Sequence, residues 1–149
     1  MARVSTLSDA APEEVFAVLA NGWRYPEWVV GNKRIRAVDD DWPTPGSRFH
    51  HVVGVGPASF HDYSEVLEVE ANRRILLEVR VWPAGRGHVE VVLEPADGGT
   101  RIVLDEVPVD GPAKSFDSPV LEAMTRLRNT ESVRRLRRSA EEERKVRRG

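Results

Sequence analysis

The chain has no cysteine among its 149 residues. Disulfides, thiolate zinc sites, thiol nucleophiles and cysteine-held clusters are therefore excluded. Long apolar runs are missing too: the longest, Val15 to Ala20, spans six residues, against the ~20 that a membrane-crossing helix needs. No apolar core followed by a small-residue cleavage site follows Met1-Ala2-Arg3-Val4-Ser5, so no secretory signal is expected. There is no Gly-x-Ser-x-Gly elbow to present a serine nucleophile. Neither Gly54-Val55-Gly56-Pro57 nor Gly85-Arg86-Gly87 leads into a helix whose N-terminus could receive a phosphate. His50 and His61 fall as diagonal neighbours on an outward strand face, where the spacing supplies no third metal ligand. These absences predict a soluble, cytoplasmic domain with no transmembrane segment, no metal and no resident cofactor.

What is present is a chain with 40% hydrophobic and 31% charged residues, its eleven Gly and ten Pro scattered as punctuation. That composition suits one domain over 1–149 with a true core. The net charge of −2 hides an asymmetry. Residues 126–148 hold ten Lys/Arg against four Glu, which leaves twelve basic and twenty acidic residues elsewhere. No aromatic residue interleaves with those arginines to stack on bases. The segment therefore reads as the solvated face of a long helix, with 141–149 fraying, and no nucleic-acid partner is expected.

Ala11-Pro12-Glu13-Glu14 reads as a helix start, with Pro at the first helical position and carboxylates where the helix dipole favours them. Asn21-Gly22 reads as its end. A second short helix or turn carries Trp23, Tyr25, Pro26 and Trp28, its aromatic residues expected to bury against a sheet. Beyond Gly31-Asn32 the hydrophobic period becomes two. Strands are predicted at Arg3–Leu7, Ile35–Val38, Ser47–Val55, Ser59–Val69, Ile75–Trp82, His88–Glu94 and Thr100–Val107, and a helix from Pro119 onward. The last helix is the one element long enough to cover a sheet face. A twisted sheet curling around it leaves a space between the two, where ligands commonly bind.

Hairpin registers decide which side chains face that space. Asp97-Gly98 as a two-residue turn sets Val91 opposite Leu104, and Val89 opposite Glu106. The preceding strand turns Ile75, Leu77, Val79 and Val81 the same way, with Trp82 outward. A turn at Gly56-Pro57 pairs Val55 with Ala58, Val53 with Phe60, His51 with Asp62 and Phe49 with Ser64. Because Phe49, Val53, Val55, Phe60 and Val66 are apolar, this face looks inward and carries His51 and Asp62 with it. Opposed Cβ atoms lie about 4.5–5.5 Å apart, within reach of an imidazole–carboxylate hydrogen bond. Such a carboxylate would raise the proton affinity of the imidazole and fix its tautomer, as a general base requires; the bland reading is a polar bridge in a mixed core.

Further candidate ligand contacts are the inward Phe49, Val53, Phe60, Val79, Val91 and Leu104, with Glu106 as an anchor for a polar head or as a strand end in water. On the last helix Thr125, Asn129, Ser132, Val133 and Leu136 share one arc. Thr125 and Asn129 sit where the helix would cross the cavity, placed to bond a ligand or buried water.

Ala11-Pro12-Glu13-Glu14-Val15-Phe16, Trp23-Arg24-Tyr25-Pro26-Glu27-Trp28, Pro45-Gly46-Ser47-Arg48-Phe49, Glu65-Val66-Leu67-Glu68-Val69-Glu70 before Arg73-Arg74, and Gly99-Thr100-Arg101-Ile102 together resemble the START-like (SRPBCC) superfamily. The likeness is to its polyketide cyclase/dehydrase group and spans roughly residues 2 to 140. It implies an α+β helix-grip fold: a seven-stranded antiparallel sheet curved around a long C-terminal helix, two short helices after the first strand, and a hydrophobic tunnel. It also implies binding of an apolar or aromatic small molecule, lipids included, in some members with cyclisation or dehydration. The motifs identify fold better than activity. A polyketide cyclase/dehydratase-like enzyme, a non-catalytic carrier or sensor, and a chaperone-cofactor-like interaction module all remain compatible with the residues, and oligomeric state is open.

Overall fold

The computed structural model describes residues 2–54, 56–81, 85–110 and 119–149. Val55, Trp82 and the side chain of Val81, three of the positions assigned a facing above, lie outside them. The order is β1 (Ala2–Ser8), α1 (Pro12–Leu19), a 3-10 turn (Gly22–Arg24), α2 (Tyr25–Trp28), β2 (Asn32–Val38), β3 (Arg48–Val53), β4 (Phe60–Glu70), β5 (Arg74–Val81), β6 (Gly85–Ala96), β7 (Gly99–Pro108) and α3 (Pro119–Arg148). The strands form one antiparallel sheet in the order β1-β7-β6-β5-β4-β3-β2. From β2 to β7 it is a meander. β1, separated from β2 by the two helices, joins the far edge beside β7. The sheet curves around α3 as a helix grip.

Local chemistry explains the boundaries. Pro12 opens α1, and Glu14 Oε1 accepts from Ala11 N–H at 2.8 Å, satisfying a donor the first turn leaves free. Asn21 does not close α1, which ends at Leu19. It caps the next element, its Oδ1 accepting from Trp23 N–H at 3.1 Å. At the β6–β7 turn Gly98 takes φ +76, the left-handed region a glycine enters without strain, and Ala96 pairs with Gly99 as the spacing predicts.

The core lies between the concave sheet face and the helices. Val66, Ile75, Val91, Ile102 and Leu104 pack with Val15, Val18 and Leu19 of α1 and with Val133, Leu136 and Ala140 of α3. Each large side chain removed from water contributes roughly 1.5–3 kcal/mol. α3 packs chiefly on β1, α1 and α2, and less on β7.

Two expectations change. Tyr25 and Trp28 are buried as predicted, but Trp23 is 58% exposed, because the 3-10 turn carrying it rotates its ring outward. The charged end at 141–149, expected to fray, is helical to Arg148 and has partners. Ser8 Oγ donates to Glu141 at 3.1 Å, Arg24 Nη1 to Glu143 at 3.3 Å, and Arg148 Nη2 to the buried Glu14 at 3.0 Å. Lys145, Arg147 and Arg148 also sit where the helix dipole is negative.

Candidate functional site

The β3–β4 register sets Val53 opposite Phe60, His51 opposite Asp62 and Phe49 opposite Ser64, as the hairpin spacing predicts. His51 is 4% exposed. Its ring meets Phe49 edge-on at 5.3 Å, continuing a row of rings in which Trp28 lies 5.0 Å from Tyr25, and Tyr25 4.5 Å from Phe49. His51 Nε2 is 3.5 Å from Ser64 Oγ, and Nδ1 has no hydrogen-bond partner.

The expected imidazole–carboxylate hydrogen bond is not formed. Asp62 Oδ1 instead accepts from Tyr63 N–H at 2.9 Å and faces Arg80 Nε at 3.4 Å. A guanidinium competes for a carboxylate better than a neutral imidazole does. Burial is the main influence on His51 and pushes its pKa below the ordinary value; the Tyr63 backbone and the Asp62 charge partly offset it, while Arg36 and His50 add to it. The imidazole is accordingly neutral near pH 7, with one of its two nitrogens an acceptor.

Glu106 faces inward opposite Val89, as the β6–β7 spacing predicts. It is not free for a ligand. Arg128 Nη2 donates to both of its oxygens, at 2.7 and 2.6 Å, tying α3 to the sheet. Strand parity points to the carboxylate and not to this arginine. Its signal was the inward carboxylate itself, which needs a cation or a ligand beside it.

On the sheet-facing arc of α3, Val133 and Leu136 are core. Ser132 Oγ accepts from Val30 N–H at 3.1 Å, and Thr125 is half-buried. Asn129 is 3% exposed, and its Nδ2 donates to nothing. Among the described residues five further buried atoms lack partners, Trp28 Nε1, Asn32 Oδ1, Asp105 Oδ1, Arg137 Nε and Arg144 Nε, and the sequence pattern points to none of them. Among the apolar candidates, Phe49, Val53, Val91 and Leu104 are buried, while Phe60 and Val79 are half-buried.

Two open surface grooves, of about 340 and 440 Å³, contain none of the predicted site residues: one is lined by Arg3, Val4 and Arg101 among others, the second by Trp23, Asp40 and Trp42 among others. Among the described residues no cluster of three His, Asp or Glu could hold a metal. No helix among them is long and apolar enough to cross a membrane.

Residues 1–141 match the family described as polyketide cyclase / dehydrase and lipid transport. No curated protein matches the sequence. The fold is similar to that of protein NE0264 from Nitrosomonas europaea, with TM-score 0.71 and 18% identity over 95% of this chain and 94% of that one. It is similar to Ara h 8.0201, with TM-score 0.71 and 12% identity over 93% and 95% of the two chains. It is also similar to half of the di-domain ARO/CYC StfQ from the steffimycin biosynthetic pathway: TM-score 0.69 and 14% identity, over 94% of this chain and 50% of that one.

Proposed function

Because the chain belongs to the polyketide cyclase / dehydrase and lipid transport family, we propose that it binds a hydrophobic or aromatic small molecule between the concave sheet face and α3, with His51 acting on that ligand as a general base. One observation carries this reading: His51 Nδ1 on β3 and Asn129 Nδ2 on the sheet-facing arc of α3 are each buried without a hydrogen-bond partner. Leaving a buried polar group unpaired costs roughly 1–3 kcal/mol. A ligand oxygen or hydroxyl removes that cost.

In the reaction proposed, a proton on a carbon next to a ligand carbonyl passes to His51 Nδ1. The C–H electron pair moves into the carbonyl, and the developing oxygen charge accepts a hydrogen bond from Asn129. In the tautomer whose Nε2–H donates to Ser64 Oγ, Nδ1 is left as the acceptor. Phe49, Val53, Phe60 and Val79 supply apolar contact.

A second reading, a carrier or sensor without turnover, is favoured by the pairing of Asp62 with Arg80, which leaves the imidazole unassisted. Small molecules co-purifying with the protein, identified by mass spectrometry and returned to it, decide between the two. A catalyst alters the ligand's connectivity or removes water, and His51→Ala stops it. A carrier releases the ligand unchanged. Failure of any apolar aromatic probe such as anilinonaphthalene sulfonate to compete for the interior would overturn both.

A further inference from the structure

The outer arc of α3 carries a pattern that the interior does not use. Residues 119–124 are exposed on every side of the helix. Val120, Leu121, Met124 and Leu127 are 67, 42, 60 and 71% exposed. At ~100° per residue Val120, Met124 and Leu127 share an arc of about 60°, opposite the arc of Asn129, Val133 and Leu136 that faces the sheet.

Farther along the same outer arc come Glu131, Arg134, Arg135, Arg138, Glu142 and Lys145, a cationic surplus of two. Arg135 and Arg138 share Glu131, while Arg134 and Lys145 have no ion-pair partner among the described residues. Leu127 and Arg134 are about 10 Å apart along the axis. Large apolar side chains followed by exposed cations on one face match the layering of a bilayer surface, acyl boundary beside phosphate.

We propose that the outer arc of α3 docks on an anionic lipid bilayer, with Val120, Met124 and Leu127 entering the headgroup boundary and Arg134 and Arg138 meeting lipid phosphates. The shape favours lipid over protein. The apolar residues stand on helix turns whose described residues are exposed on every side at 119–124, and a fluid interface needs no matching surface. The charge favours an anionic surface: the chain outside 126–148 is acidic, so repulsion turns the rest of the molecule away and orients the helix. This surface is separate from the interior, and either proposal can fail without the other.

Co-sedimentation of the full chain with phosphatidylcholine vesicles, with and without phosphatidylglycerol, tests it. Binding to the phosphatidylglycerol vesicles is expected to be at least about tenfold tighter and to weaken as salt rises. The pair Met124→Ser and Leu127→Ser lowers it about tenfold or more, and the pair Arg134→Glu and Arg138→Glu abolishes the preference for phosphatidylglycerol. All four positions are exposed, so unchanged circular dichroism and melting confirm that the variants fold. Absence of binding to anionic vesicles, or binding that ignores both pairs, overturns the proposal. So does a dimer that forms without vesicles and is lost in the serine pair, because the face then belongs to a second copy.

Discussion

The inward faces at the two sides of the grip hold polar groups in different ways. Toward β6, β7 and β1 the interior is apolar, and two polar groups on those strands are paired: Thr100 Oγ1 donates to Ala10 carbonyl at 2.7 Å, and Glu106 is held by Arg128. Toward β2 and β3, Asn32 Oδ1 and His51 Nδ1 are just as buried and have no partner. The first side has the arrangement expected of a region that provides stability. The second keeps hydrogen-bonding capacity unspent in a place where stability alone would have removed it. Four measurements test whether that contrast is real.

The largest effect is expected on the apolar side. Leu136→Ala removes a fully buried side chain and lowers unfolding free energy by roughly 2–5 kcal/mol, as read by denaturant titration. A loss under ~1 kcal/mol would mean that α3 is not seated in the core. Next, Arg128→Met removes the partner of Glu106. With Arg128 40% and Glu106 19% exposed in their side chains, solvent screens the pair, and the cost is about 1 kcal/mol. On the other side, His51→Leu changes stability by less than about 1 kcal/mol in either direction while removing any turnover. A loss as large as that of Leu136→Ala would erase the contrast.

The smallest effect is a pH dependence. His51 has its pKa lowered in the folded protein, chiefly by burial. Below the ordinary value of 6.5 the unfolded chain binds the proton more readily than the native one, so stability is full above that pH and falls as pH drops through it. Thermal melts between about pH 7 and pH 5 should show a shallower decline for His51→Leu than for the wild type. Parallel declines would place the imidazole in water.

Strand parity explains how much of this was legible. Alternation and the Asp97-Gly98 turn were enough to set Val91 against Leu104 and Glu106 against Val89. Val53 and Phe60 sit in the register that the Gly56-Pro57 turn requires, and His51 follows. Alternation says which face a residue takes, not which neighbour its end reaches. Asp62 turns to Arg80 from a strand whose placement depends on a bulge between Val66 and Glu68 that no turn residue announces. The end of α3 looked like a fraying tail because its partners, Ser8, Glu14 and Arg24, lie more than a hundred residues earlier. Trp23 looked like core because aromatic clustering does not reveal the rotation of a 3-10 turn.

The pairing of β1 with β7, Ala2 against Glu106 through Ser8 against Thr100, sets an order of events during synthesis. β1 leaves the ribosome roughly a hundred residues ahead of the strand it pairs with, so that edge of the sheet closes only after β7 has been made. Contacts of such separation make folding slow relative to helical proteins of equal size. Until that pairing forms, β1 and the outer edge of β7 are both open strand edges, of the kind that can pair with another chain.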